Sequence, residues 1–318
     1  IRVTFKTRTG SILHPNKVQA VRGLTLKLMP GETLGIVGES GCGKSTTANV
    51  MCGLQQPTSG KVFFKGEDVT KRSAAQRRLI GRVISVVFQD PATALNARMS
   101  VHDQLMDPLV VHKVGDKTSR ERRVLDLIEM VGLPNSVLDA LPGQLSGGQR
   151  QRVAIARALS LEPDAIIADE PTSALDVSVR AQILNLLMDL QDELGLTYLF
   201  ITHDLSVVRH ISNEIMVMYL GQCIERGPSA EIFERPLHPY TRALLNAIPH
   251  PDLRMRSQKL QIIRGEVTNP IEPKPGCRFA ARCDRCHEGC TAADPALREV
   301  SPGHFAACTL YDEGRDGT

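Results

Sequence analysis

Short apolar runs alternate with longer amphipathic stretches along most of this chain, and that alternation sets the expected architecture. Ile1, Val3 and Phe5 fall on one face of a strand-like pattern at the start. Residues 33–37 form a short apolar run that ends at a Gly-rich turn, and residues 44–52 follow with helical character. Residues 83–88 are a second buried-strand pattern, rich in β-branched side chains. Between about 100 and 160 the apolar positions return at helical spacing, as in Val124, Leu127, Ile128 and Val131. Strand patterns resume at 165–168, 198–202 and 214–218, with a helix expected over 178–194. Strand–helix–strand alternation of this kind predicts an α/β fold, a largely parallel sheet with helices packed on it. The helical stretch reads as a subdomain, about 91–160, inserted into a sheet domain that spans 1–235. A further helix is expected at 238–248. A stretch rich in Pro and Gly (Pro249, Pro251, Gly265, Pro270) then reads as a linker to a Cys-rich tail, within an extension covering 236–318.

Composition narrows the classes. The chain has 318 residues, 42% of them hydrophobic, enough for a sizeable core. A formal charge of +3 without any basic run gives no footprint for nucleic acid. No stretch approaches the ~18 apolar residues that a membrane helix needs, so the chain is expected to be soluble or peripheral to a membrane. No signal peptide is expected, because the chain opens directly on its strand pattern; a start at Ile1 instead of Met suggests a trimmed chain. Of the eight cysteines, Cys42, Cys52 and Cys223 are scattered, whereas Cys277, Cys283, Cys286, Cys290 and Cys308 crowd the tail. In a cytosolic chain such a cluster points to metal before disulfides.

Three motifs carry the chemistry. GESGCGKS, residues 38–45, follows a strand pattern and opens a helix, the context a phosphate-binding loop requires. Its glycines let several backbone N–H groups point at one anion, and the helix N-terminus adds positive potential. Lys44 can reach the β- and γ-phosphates, and Ser45 can ligate Mg²⁺. AIIADE, residues 165–170, ends a β-run in two carboxylates: Asp169 for the Mg²⁺ shell, Glu170 to orient or deprotonate an attacking water. LSGGQ, residues 145–149, places Ser146, Gly147 and Gly148 ahead of a helix expected from Gln149 to Ser160, a second helix N-terminus open to an anion.

With LSGGQ between the phosphate loop and the acidic pair, the chain resembles the ABC ATPases. The resemblance implies a P-loop (RecA-like) core with the helical subdomain inserted and a small Cys-rich extension. It implies nucleotide contacts at Gly38, Ser40, Gly41, Cys42, Gly43, Lys44, Ser45 and Thr46, and at Ser146, Gly147, Gly148 and Gln149 from a second subunit. Gln89 resembles the glutamine that senses Mg²⁺ and the γ-phosphate. Asp176 lies in SALD, which resembles the segment crossing between subunits. His203 resembles the switch histidine, and Phe5 the aromatic that stacks on adenine.

A closer resemblance, over nearly the whole chain, is to the ATPases of the oligopeptide, dipeptide and nickel importers. VFQDPATALN (87–96), RPLHPYTRALLNAIP (235–249) and the tail cysteines carry it. It implies a second ATPase subunit, expected to be a paralogue; two membrane permease subunits, met by the region near 91–115; an extracytoplasmic binding protein acting indirectly; and a place on the cytoplasmic face of the membrane. It also implies a 4Fe-4S cluster on Cys277, Cys283, Cys290 and Cys308, with Cys286 spare; because those cysteines are remote in sequence from every ATP motif, the expected role is structural, folding a tail with little core of its own. On chemistry alone four thiolates suit zinc equally well. Nickel as cargo, and a soluble ABC ATPase of DNA repair or translation, are the alternative functions.

Overall fold

A period-two alternation in the central strands divides the molecule into two cores, one on each face of a single sheet. The computed structural model describes residues 1–11, 14–248, 271 and 275–312. In β8 (Thr197–Thr202), Tyr198 and Phe200 enter one core while Leu199 and Ile201 enter the other. In β9 (Glu214–Tyr219), Ile215, Val217 and Tyr219 face the first core and Met216 and Met218 the second. β3 (Thr33–Val37) and β7 (Ala165–Asp169) divide the same way. Strands covered on both faces have no polar side, which is why they read as continuous apolar runs.

Among the described residues the sheet has eight strands in the order β11-β12-β10-β9-β3-β8-β7-β6. β6 (Ile84–Val87), β7, β8, β3 and β9 are parallel. β10 (Gln222–Pro228), β12 (His304–Ala306) and β11 (Arg298–Ser301) continue it in antiparallel pairs. Residues of the expected C-terminal extension thus build the edge of the same sheet. Glu225, fully buried on β10, fixes this join: it accepts from the backbone N–H of Leu237 (2.7 Å) and His238 (2.8 Å) and pairs with His304 Nε2 at 2.8 Å.

One face carries α1 (Lys44–Met51) and a hairpin of β1 (Arg2–Ser11) and β2 (His14–Arg22); Val3, Val21, Ala48 and Val50 pack there. The other face carries α4 (Val101–Val111), α5 (Lys117–Met130), α6 (Gly147–Leu159), α7 (Val177–Leu194) and α8 (Leu205–Ile211). Val124, Leu127, Ile128 and Val131 are all buried, as their spacing predicts. Gly35 lets α8 approach β3, since a Cβ there would stand 2.5 Å from Ser212 Oγ. The bounds differ modestly from expectation. β6 is shorter than 83–88, because Val83 closes α2 (Ala74–Val83) and Phe88 turns out to solvent. α10 covers Pro239–Asn246, capped by His238. The expected linker falls largely outside the described residues.

Candidate active site

The phosphate loop leaves β3 at Gly38 and enters α1 at Lys44. Gly41 and Gly43 have φ of 78° and 105°, conformations that cost an L side chain strain. A Cβ on Gly43 would also stand 2.3 Å from the carbonyl of Ala20, where β2 crosses the loop. Lys44 is buried and folded back: its Nζ donates to the carbonyls of Gly38 (2.8 Å) and Glu39 (3.2 Å), marking out the space a phosphate oxygen would take. Ser40, Gly41 and Ser45 are exposed and Thr46 half-exposed on this rim.

Ser45 lies beside Asp169 at the end of β7. Burial raises the Asp169 carboxyl above its ordinary value, and Glu170 adds to the shift, while Ser45 and Lys44 oppose it. Its Oδ1 is buried without a hydrogen-bond partner. An orphaned carboxylate oxygen beside a serine hydroxyl offers oxygen donors of the kind that a hydrated Mg²⁺ takes, so the residues fit the ion. Glu170, next in the chain, has φ of 49°, a left-handed conformation that costs about 1–3 kcal/mol and persists where its surroundings enforce it. Its N–H donates to Ile201 O at 2.8 Å, and its carbonyl accepts from Ser173 N–H and Oγ. The turn aims the carboxylate at two other expected residues: Gln89 Nε2 donates to Oε2 at 3.2 Å, and His203 Nδ1 lies 3.2 Å from the same oxygen. Glu170 is mostly sheltered while His203 is largely exposed, so this cluster opens outward on the histidine side.

The LSGGQ segment stands apart. α6 begins at Gly147, two residues earlier than expected, so both glycines belong to its first turn. Ser146 caps the helix and forms a capping box with Gln149: Gln149 N–H donates to Ser146 Oγ (3.2 Å) and Gln149 Oε1 accepts from Ser146 N–H (2.9 Å). A Cβ on Gly148 would meet Val179 Cγ1 at 2.6 Å, so this glycine lets α6 lie against the start of α7. Asp176 caps α7, accepting from Val179 N–H and Ser178 Oγ, and those bonds hold its carboxyl below its ordinary value. Among the described residues no hydrogen bond joins Ser146–Gln149 to the phosphate loop. Phe5 is exposed on β1 opposite Val18, two residues before the Ala20 that covers Gly43.

At Cys42, neighbouring Lys44 and the helix start favour thiolate, but the side chain points into the core and burial pushes the thiol up. Within the loop it offers backbone, not sulfur.

In the tail, Cys277, Cys283, Cys290 and Cys308 line one pocket with His238, whose Nε2 is buried and unpartnered. Burial, aided by the neighbouring thiols, pushes Cys277, Cys283 and Cys308 up to about 11 each. Cys286 is exposed and lies outside this lining. Among the described residues no group of three or more His, Cys, Asp or Glu is gathered closely enough to hold a metal ion. The thiols converge without forming the ligand set expected of a 4Fe-4S cluster. Remoteness in sequence does not keep the tail away from the ATP motifs. Arg282 forms a two-pronged pair with Glu39 of the phosphate loop, and Tyr240 accepts from the Glu39 N–H. No spacing rule announces these contacts; the one signal was a carboxylate, Glu39, inside a cradle for anions.

The ABC transporter family profile matches residues 21–173, and the profile "Oligopeptide/dipeptide transporter, C-terminal region" matches 224–290. The dipeptide transport ATP-binding protein DppF of Haemophilus influenzae is 45% identical over 97% of this chain and 94% of its own length. The oligopeptide transport ATP-binding protein AppF of Bacillus subtilis is 47% identical over 98% and 95%. A dimeric structure of the ATP-binding cassette MJ0796 in a post-hydrolysis state, bound to ADP and Pi, superposes with a TM-score of 0.64 at 32% identity, covering 72% of this chain and 96% of that one.

Proposed function

This chain belongs to the ABC transporter ATPase family, and on that premise we propose that it is the ATP-hydrolysing subunit of a membrane importer for di- or oligopeptides. The observation that carries the reading is Glu170, held by a strained turn where Gln89, His203 and the Ser45–Asp169 pair converge beside the phosphate loop. In this reading Lys44 leaves its two carbonyls to hold the β- and γ-phosphates. Ser45, Gln89 and the free oxygen of Asp169 hold Mg²⁺, which supplies charge neutralisation at the phosphates. Glu170 orients water for in-line attack and takes its proton, and His203 steadies the γ-phosphate. Phe5 offers a face to the adenine. The separation of LSGGQ from the loop supports a site completed in trans, with Ser146, Gly147 and Gly148 of a second, paralogous ATPase facing the nucleotide and Asp176 near the crossing between subunits. Closure of that pair drives two permease subunits, fed by an extracytoplasmic binding protein, from the cytoplasmic face of the membrane. No helix among the described residues is long and apolar enough to cross a membrane. The names of the relatives favour peptide over nickel as cargo.

Replacing Glu170 by Gln removes the base and keeps the hydrogen bonds. Hydrolysis is expected to fall about 10²–10⁴-fold, with ATP binding intact and a closed dimer accumulating on a sizing column. The rate from a paralogue's own site is subtracted first; near-normal remaining turnover would remove Glu170 from the mechanism.

The family resemblance alone carries the proposal of a metal on Cys277, Cys283, Cys290 and Cys308, a 4Fe-4S cluster before zinc, since the four thiols share a pocket but are not gathered as a ligand set. Anaerobic purification with metal analysis and visible absorption tests this. A colourless protein with stoichiometric zinc overturns the iron assignment. Cys286→Ser is expected to keep the metal and Cys290→Ser to lose it.

A further inference from the structure

The Cys-rich tail grips the phosphate loop through one residue, Glu39. Arg282, which precedes Cys283, donates from Nη1 to Glu39 Oε2 at 2.8 Å and from Nη2 to Oε1 at 3.0 Å. The same Nη1 donates to the Tyr219 hydroxyl at 3.1 Å, and the guanidinium lies 5.8 Å from that ring's centroid. Only 6% of the Arg282 side chain is exposed, so its planar fork is held in one orientation. Tyr240, on α10, takes the Glu39 N–H at 3.0 Å, and its ring packs against Tyr219 at 4.8 Å and the tail's Phe279 at 5.3 Å. The Glu39 carbonyl turns inward and accepts from Lys44 Nζ and the Cys42 N–H. All the polar groups of Glu39 are therefore engaged, the carboxylate and N–H by residues far along the chain.

A carboxylate in a cradle for a polyanion is repulsive unless it is neutralised. Exposed counter-charges do this weakly, because water and salt screen them. A sheltered bidentate guanidinium does it well and fixes the carboxylate plane at the same time. We propose that Arg282 is a positioning residue for nucleotide binding: docked from the tail, it cancels the charge of Glu39 and sets the first peptide units of the loop so that their N–H groups meet the triphosphate. The inference rests on reading residues 38–45 as the phosphate cradle. It makes the state of the tail a determinant of ATP affinity.

The test is equilibrium binding of a Mg²⁺-complexed, non-hydrolysable ATP analogue to the full chain. Arg282→Met leaves Glu39 charged beside the phosphates and is expected to weaken binding about tenfold, the scale of one lost charge-assisted contact. Adding Glu39→Gln to Arg282→Met removes the stray charge, and affinity is expected to return to that of Glu39→Gln alone. Arg282→Lys keeps the charge without the fork and falls between wild type and Arg282→Met. A purely structural role for Arg282 would leave the double variant at least as weak as Arg282→Met; that result, or unchanged affinity in Arg282→Met, overturns the proposal. Lys44→Ala separates the two levels. If it binds the analogue like wild type, the loop assignment itself fails. If it does not bind while Arg282→Met binds normally, only the role of Arg282 fails.

Discussion

Cys42 shows how a side chain can sit inside a phosphate loop and take no part in its chemistry. It stands beside Lys44, which pulls its thiol toward ionisation, yet only 3% of the residue is exposed and the desolvation cost outweighs that pull. A loop that binds with backbone N–H groups has no use for the sulfur, and its Sγ would lie 2.8 Å from a Cβ on Gly38, within the packed interior. Iodoacetamide near neutral pH is therefore expected to label exposed Cys286 well before Cys42, read by peptide mass mapping. Hydrolysis should be lost no faster in wild type than in Cys42→Ser. Faster inactivation of wild type, with protection by ATP, would show that the loop opens enough to ionise Cys42. Glu170 shows the opposite relation between position and role. Its place after a strand is ordinary, but the left-handed turn at φ 49° gives its carboxylate a direction that no residue pattern specifies.

Among the elements, the parallel strands were legible and the antiparallel edge was not. β3, β7, β8 and β9 are buried on both faces, so burial wrote itself into apolar runs. β10, β11 and β12 carry Gln222, Glu225, Arg226, Arg298, Glu299 and His304; β9–β10 and β11–β12 pair with near neighbours, but the β10–β12 pairing that joins the tail to the sheet links residues far apart in the chain. Periodicity reports a residue's face, not its distant partner, so the charged side chains hid these strands and nothing local announced the β10–β12 join, although Gly221 and Gly303 mark the two hairpin turns. The start of α6 was misplaced for a related reason. Two glycines argue for a loop by propensity, but the Ser146–Gln149 capping box holds them in the first turn. The acidic pair and the phosphate loop were legible because chemistry fixes both residue type and spacing; the Arg282–Glu39 contact was not, because it is set by how the tail docks. Glu225 carries the energetics of the edge. Replacing it by Ala strands His304 and two backbone donors in the interior, with an expected loss of about 3–5 kcal/mol, read by denaturant unfolding. A loss under about 1 kcal/mol, the range of an exposed pair, would mean that water reaches the site.

At the scale of the whole molecule, the two anion-facing helix starts do not meet within one chain. The phosphate loop opens α1, LSGGQ opens α6, and α6 packs instead on α7 through Gly148. Ser146→Arg adds bulk and a cation at the surface proposed to face a partner's nucleotide. It is expected to leave analogue binding to the isolated chain unchanged while abolishing dimer closure and hydrolysis. Binding that falls in step with hydrolysis would place LSGGQ in cis and end the two-subunit reading. The route of the chain through its sheet has a consequence for the order of events during synthesis. β10 is complete at Pro228, but the strand that covers it begins at His304, and at about 5–20 residues per second the ribosome needs several seconds to supply that partner. During that interval β10 presents an open edge, the kind of surface that recruits wrong partners. Arg282 emerges in the same window, so until then a nascent cassette holds its phosphate loop without that guanidinium, and ATP is expected to grip the parts made first about tenfold more weakly than it grips the finished fold.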